Sequence, residues 1–179
     1  GVFPNEDGCV EVLDLDGNPN MGTDSINTGN NLTGEFVDFE LPFLEEFHAS
    51  FNEIDGEILD FSGIPNLREF NCHFNLLTGE IPDFTNLPEL RVFHCSLNGL
   101  TGEIPDFNNT PQLSSFSCSR NELTGGVPAF SNLPELRNLY CYSNNLTELI
   151  PDFSTACPNL FRLYCDDNQL TFEDIVPNL

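Results

Sequence analysis

The sequence lacks lysine and tryptophan and contains a single methionine. Its 29 acidic residues are opposed by only five arginines, so the net charge at pH 7 is -24. Such a charge repels the phosphates of nucleic acids and of anionic membrane surfaces. No apolar run approaches the roughly 20 residues that a transmembrane helix needs. We therefore expect neither nucleic-acid binding nor membrane insertion.

Repetition is what the sequence has in abundance. The string LRVFHCSLNGLTGEIPD ends at Asp106, and its first part returns as LRNLYCYSN, which ends at Asn144. One asparagine position recurs every 23 residues, at Asn52, Asn75, Asn98, Asn121 and Asn144. A period of this size is typical of a solenoid, in which each unit buries its apolar face only against its neighbours. Residues 1–179 are therefore predicted to form one elongated domain.

Within each repeat, the motif FxCxxN is typical of a short strand. Its alternation turns Phe93 and Cys95 inward and the residues beside them outward. The following asparagine is placed to hydrogen-bond the backbone of an adjacent coil. Glycine and proline in LTGEIPDF then turn the chain. The closing NLPEL segment has room for one turn of 3₁₀ helix.

Five of the seven cysteines share one position of the repeat: Cys72, Cys95, Cys118, Cys141 and Cys165. Neighbouring strands lie about 4.8 Å apart, so disulfides or metal ligation are alternatives to reduced thiols. Because these cysteines alternate with an inward Phe or Leu, we interpret them as buried apolar residues. Cys157 stands in a leucine position and is also expected in the core.

The complete repeat, LxxFxCxxNxLTGxIPDFxNLPx, resembles the leucine-rich repeat, and its LTGxIP string is similar to the plant-type subclass. Cysteine in the strand motif is similar to leucine-rich repeats of secreted bacterial proteins. The resemblance implies an α/β repeat fold: a right-handed solenoid with a parallel β-sheet on its concave side and short 3₁₀ or irregular segments on its convex side. Only Cys9 stands where such repeats begin with paired cysteines. We expect about seven coils from a longer protein, with uncapped ends that allow self-association.

The first repeat is interrupted by an insertion at residues 19–30, which is composed of turn-forming residues. Before and within it, side-chain oxygens alternate as in a calcium-binding loop, although Ser25 replaces the glutamate of the twelfth position. The candidate calcium ligands are Asp14, Asp16, Asn18 and Asn20. The two aspartates are equally explained as residues of an exposed strand surface.

Ligands of leucine-rich repeats usually bind on the concave face, so the outward strand positions form the candidate site. All three histidines, all three tyrosines and all five arginines lie in strand segments. One interpretation is that the turn consensus leaves them no other place. The other is a recognition face, because tyrosine and arginine dominate binding hot spots. The candidate residues for binding a protein, peptide or glycan are Arg137, Asn138, Tyr140, Tyr142, Arg162, Tyr164, Asp166, His94, His73 and His48.

The histidines are also candidates for a metal site, since Glu46 and Glu69 lie near them. Their separation of roughly 8 Å is long for a single ion. Nothing resembles a catalytic triad or a nucleophile elbow. We therefore predict a non-catalytic recognition or adhesion module of a secreted or cell-surface protein, with no cofactor beyond the candidate calcium. The alternative is a binding module attached to an enzyme outside this sequence.

Acidic residues also recur in register, at Glu35, Glu57, Glu80 and Glu103 and at Asp38, Asp60, Asp83, Asp106 and Asp152. Carboxylates at strand spacing repel by about 1 kcal/mol per neighbour in water. We therefore expect stability to rise with salt and to gain from protonation at mildly acidic pH.

Overall fold

A computed structural model describes residues 2–4, 9–17, 30–171 and 173. Ten strands, numbered in chain order, lie in these residues. Eight of them form one sheet whose spatial order follows the chain: β1 (Val2–Pro4), β2 (Val10–Asp14), β4 (Glu46–His48), β6 (Glu69–Asn71), β7 (Val92–His94), β8 (Ser115–Ser117), β9 (Asn138–Tyr140) and β10 (Arg162–Tyr164). A second, parallel sheet pairs β3 (Thr33–Glu35) with β5 (Glu53–Asp55).

The main sheet is parallel except at β1, which pairs antiparallel with β2. Its register brings equivalent positions of successive repeats side by side, so that Phe70 pairs with Phe93 and Phe93 with Phe116. A slip of one residue would move every inward side chain to the outer surface. The register therefore confirms the 23-residue period and the predicted alternation, and the architecture is the expected parallel β-solenoid.

Two interlocking columns of phenylalanine form the centre of the core. Along the sheet, the rings of Phe70 and Phe93 stack with centroids 5.6 Å apart and an interplanar angle of 13°. Opposite them, Phe84 meets Phe93 edge to face at 4.9 Å and 88°. Burying one such side chain stabilises the fold by about 1.5–3 kcal/mol.

The cysteine column lies in the same core. Cys72, Cys95, Cys118 and Cys141 are fully buried and reduced, while Cys165 is half-buried. Burial raises the pKa of each of these thiols. The interpretation as apolar thiols is confirmed, and Cys157 is buried as expected.

The convex segments close with single hydrogen-bonded turns. The N–H of Leu87 donates to the carbonyl of Phe84 at 3.2 Å, and that of Leu90 to Leu87 at 3.1 Å. No 3₁₀ helix occurs in the described part of the chain. The convex side is therefore of the irregular kind. None of the helical structure in the described residues has the length and hydrophobicity of a membrane span.

The two carboxylate series have different surroundings. In the aspartate series, Asp38 accepts a 2.6 Å bond from the Ser62 hydroxyl of the next coil, which lowers the pKa of Asp38. In the glutamate series, Glu80 lies over Gly102, where a Cβ atom would come within 2.8 Å of its Cγ. The aspartates thus help to join successive coils, whereas the glutamates cover the turn glycines.

The predicted insertion at 19–30 falls almost entirely on residues 18–29, which lie outside the described residues.

Candidate recognition face

The outward side chains of the parallel strands form the concave face, on which strand register produces rows. The first row reads Glu46, Glu69, Val92, Ser115, Asn138 and Arg162; the second reads His48, Asn71, His94, Ser117, Tyr140 and Tyr164. Backbone hydrogen bonds beyond the strands align a third row: Ser50, His73, Ser96, Ser119, Tyr142 and Asp166. The predicted alignment of the first two rows is thereby confirmed.

The third row is less exposed than the sequence predicts. Ser50 and Ser119 are fully buried, and neither hydroxyl has a hydrogen-bond partner within the described residues. Each of these small side chains is followed in the row by a larger residue, His73 or Tyr142. Asp166, at the end of the row, is exposed.

Tyr140 and Tyr164 form the aromatic centre of the face. Cross-strand pairing between β9 and β10 places them side by side. Their rings stack with centroids 5.3 Å apart and an interplanar angle of 23°. Tyr164, at 51% exposure, presents much of its ring to solvent. The predicted adjacency of these two tyrosines is confirmed as geometry, and we call the pair the tyrosine stack.

The two arginines predicted beside the tyrosines have different surroundings. Nη1 of Arg162 donates to Oδ1 of Asn138 at 3.1 Å, and its guanidinium lies 5.1 Å from the ring centroid of Phe161. Arg162 therefore borders the tyrosine stack in the row beside it. Arg137 instead reaches toward Glu135, with 3.8 Å between Nη2 and Oε2. The guanidinium charge of Arg137 is therefore directed toward an acidic residue of the same coil.

Between the histidines and the tyrosines lies a depression of about 260 Å³, lined by His73, His94, Ser96, Ser117, Tyr140 and Tyr142. The hydroxyls of Ser96 and Ser117, both in this lining, lie 2.7 Å apart. The sequence analysis did not predict this feature, because a list of outward positions does not specify the space between side chains of different size. The sequence does contain an indication of it, because the small Ser117 lies between the larger His94 and Tyr140 in the second row.

The histidines of the depression are neutral groups near pH 7. Burial lowers the pKa of His73, which the charge of Asp16 partly opposes. Burial also lowers the pKa of His94, and repulsion from His73 adds to the effect. Phe51 packs edge to face on the His73 ring at 4.7 Å. The depression is therefore lined by uncharged side chains.

His48 belongs to a separate polar network on β4 and β6. Its Nε2 lies 3.4 Å from Oε2 of Glu46, and its Nδ1 is 3.3 Å from Nδ2 of Asn71. Asn71 also donates to Glu69 at 2.9 Å. In the described ranges, no group of three or more His, Cys, Asp or Glu side chains is arranged to hold a metal ion.

The candidate calcium ligands are only partly described. Oδ1 of Asp16 accepts a 2.6 Å bond from the N–H of Ser50, and Oδ1 of Asp14 accepts one from the N–H of Asp16 at 3.1 Å. Asn18 and Asn20 lie outside the described residues. Both aspartates therefore bind backbone amides, which agrees with their interpretation as part of the strand surface.

A larger groove of about 700 Å³ lies away from the concave face, among the turns that carry Glu80, Glu103, Asp106 and Glu148. Its lining includes Gly126, which replaces the glutamate of the repeat. Most of its other lining residues belong to the turn consensus. The concave face, where the repeat leaves side chains free to vary, is the stronger candidate for recognition.

Neither the scan of protein-family models nor the search of curated proteins found a match. Solved structures do resemble the chain. The internalin InlP of Listeria monocytogenes is 36% identical over 77% of this chain and 38% of its own, with a TM-score of 0.68. A TDR receptor is 31% identical over 79% of this chain and 26% of its own, with a TM-score of 0.70.

A third similar structure is the plant peptide hormone receptor RGFR1 in complex with RGF2. It is 30% identical over 84% of this chain and 29% of its own, with a TM-score of 0.71. The chain thus spans between about a quarter and two fifths of the length of these three proteins.

Proposed function

The chain is a leucine-rich repeat protein, and on that premise we propose that it is a non-catalytic module that binds a peptide or protein segment across its concave face. The observation that carries this proposal is the tyrosine stack. Stacked rings that are already ordered lose little conformational freedom on binding, and tyrosine adds a hydroxyl to a large apolar area. Arg162, beside the stack, supplies a positive charge for a ligand carboxylate.

Similarity supports a peptide or protein as the ligand class in preference to a glycan. One similar structure is a peptide hormone receptor bound to its hormone. Another is an internalin of a bacterium. We accordingly place this module in a secreted or cell-surface protein.

The net charge of -24 also bears on the ligand. An acidic molecule attracts basic partners at long range, and this attraction weakens as salt rises. A ligand that reaches Arg162 with a carboxylate and carries positive charge elsewhere would gain from both contributions.

Selection from a displayed peptide library against this chain tests the proposal. For the selected peptides, the substitutions Tyr140→Ala and Tyr164→Ala in the chain should each weaken binding by about 2 kcal/mol or more, which is roughly thirtyfold in Kd. Leu149→Ala is the matched control, because Leu149 is an exposed apolar residue (57%) outside the main sheet. Unchanged affinity in both tyrosine variants, or loss confined to Glu46→Ala and His48→Ala, would contradict this site.

A further inference from the structure

The depression between the histidines and the tyrosines has room for part of a ligand only. Its volume of about 260 Å³ is below the roughly 300–1,000 Å³ of pockets that enclose a whole small molecule. It shares Tyr140 with the tyrosine stack, so a peptide that covers the stack also lies beside this opening. We propose that the depression accepts one uncharged aromatic side chain of the bound peptide. This inference rests on the proposed function and names the ligand chemistry of one part of the same face.

The lining selects against charge. Tyr140 and Tyr142 form one wall, His73 and His94 form the other, and serine hydroxyls lie between them. A charged side chain placed there would lose hydration and find no opposite charge in contact with it. An uncharged side chain loses little hydration free energy there and removes apolar surface from water.

The surrounding rings favour an aromatic over an aliphatic occupant. Tyr140 already stacks on Tyr164, and His73 already meets Phe51 edge to face. Aromatic pairs gain from such geometry in addition to the area that they bury. A phenyl or phenol ring extends this chain of ring contacts, whereas an aliphatic group gains from burial alone.

Charged and titratable side chains lie around the depression rather than in it. On the outward side of the neighbouring strands and at the positions that follow them, these are Asp14, Asp16, Glu46, His48, Glu69, Arg162 and Asp166. A bound ring would be held by the neutral forms of His73 and His94. Acid protonates both histidines and places positive charge on one wall, so affinity for the ring should fall as the pH drops from neutrality to about 5.

Saturation-transfer NMR on the whole chain tests which of four small probes binds in the depression. The probes are N-acetyl-phenylalaninamide, N-acetyl-lysinamide, the α-amide of N-acetyl-aspartic acid with its side-chain carboxylate free, and methyl glucoside. The three tyrosines of the chain all lie on this face, and the chain has no tryptophan, so tyrosine fluorescence gives a second signal from the same place. We expect the phenylalanine derivative alone to show saturation transfer and to change the fluorescence.

Ser117→Leu fills part of the depression, which Ser117 lines. Ser131→Leu is its control, because Ser131 is exposed in a turn outside the main sheet. Ser117→Leu should abolish both signals, and Ser131→Leu should retain them. Should Ser117→Leu fail to give the native circular dichroism spectrum, Tyr142→Ala replaces it, because loss of that wall should also abolish binding. Acidification to about pH 5 should weaken binding several-fold, and this pH effect should vanish in the double variant His73→Gln, His94→Gln.

Equal binding of a charged amide or of methyl glucoside would overturn the inference, as would full binding in a folded Ser117→Leu or Tyr142→Ala chain. The two proposals fail differently. A selected peptide that depends on Tyr164 but is indifferent to Ser117→Leu overturns the depression and leaves the proposed function standing. If no selected peptide depends on the tyrosine stack, the proposed function fails, and the small probes still decide the chemistry of the depression.

Discussion

The side-chain oxygen of Asn75 lies 3.0 Å from the backbone nitrogen of Ile54 in the preceding coil. The amide nitrogen of the same side chain donates to the carbonyl of Ala49 at 2.9 Å and to that of Cys72 at 3.1 Å. One buried amide thus satisfies three backbone groups from two coils. Irregular turns lack the regular backbone hydrogen bonds of a helix or sheet that would satisfy such groups. The repeated asparagines, which we call the asparagine column, therefore join each coil to the one before it.

Asn75→Ala should lower the free energy of unfolding by about 1–3 kcal/mol, because it leaves the buried N–H of Ile54 without its acceptor. The carbonyls of Ala49 and Cys72 keep bonds from Asn52 and Asn98. Denaturation in urea, followed by circular dichroism, measures the change. Asn66→Ala is the control: Asn66 also donates to a carbonyl of the preceding coil, that of Pro42, but it is exposed. This control should change stability by less than about 0.5 kcal/mol. Equal losses in the two variants would show that the buried column has no special role.

Two glycines of one coil should respond oppositely to alanine. Gly102 has a φ of +78°, and an added Cβ would come within 2.8 Å of Glu80. Gly102→Ala should therefore lower the free energy of unfolding by about 1–2 kcal/mol or more. At Gly99 the backbone is ordinary and the nearest atom would lie 3.4 Å away. Gly99→Ala should be neutral or stabilise the fold by up to about 1 kcal/mol, because it restricts the unfolded chain. The same denaturation experiment would contradict both statements if Gly99→Ala proved the more harmful.

The cysteine column should resist alkylation until the chain unfolds. Burial raises the pKa of Cys72, Cys95, Cys118 and Cys141, so little thiolate exists to react. Cys165 is less buried and should react faster. Iodoacetamide labelling with and without denaturant, resolved by peptide mass spectrometry, measures both rates. Rapid labelling of the four buried thiols in the native chain, or disulfides among them, would contradict the packing described above.

Acidification should destabilise the chain through His73 and His94. Both have a folded-state pKa below the ordinary value of 6.5. The folded chain therefore binds fewer protons than the unfolded chain does. The stability that the neutral histidines provide is complete above pH 6.5 and is lost as the pH falls through the folded-state values. Thermal melts between about pH 7 and about pH 5 should show this effect as a loss of Tm in the native sequence relative to a variant that lacks the two histidines.

The double variant His73→Gln, His94→Gln should show a smaller decrease in Tm over that range. This histidine effect opposes the relief of carboxylate repulsion that the sequence predicts. A Tm that rises on acidification, equally in both proteins, would show that carboxylate repulsion outweighs the histidines.

Much of the fold follows from the period alone. In a solenoid, a residue's neighbour across the sheet is its equivalent one repeat away, so sequence spacing translates directly into contact. This is why the stacking of Phe70 on Phe93, the burial of Cys95 and the adjacency of Tyr140 and Tyr164 are all predictable. The pairing of β3 with β5 was not predicted, because it falls in an irregular part of the repeat.

What the sequence by itself determined is therefore which side of the sheet each residue occupies and which residues neighbour it across the strands. The tertiary structure alone decided how side chains of different size fill the space between those neighbours. Arg137 turns to Glu135, Ser119 is buried beside Tyr142, and the small Ser117 opens a depression between histidine and tyrosine. The physical reason is that rotamers and local packing depend on the volumes of several side chains together, whereas a periodic pattern specifies positions one at a time.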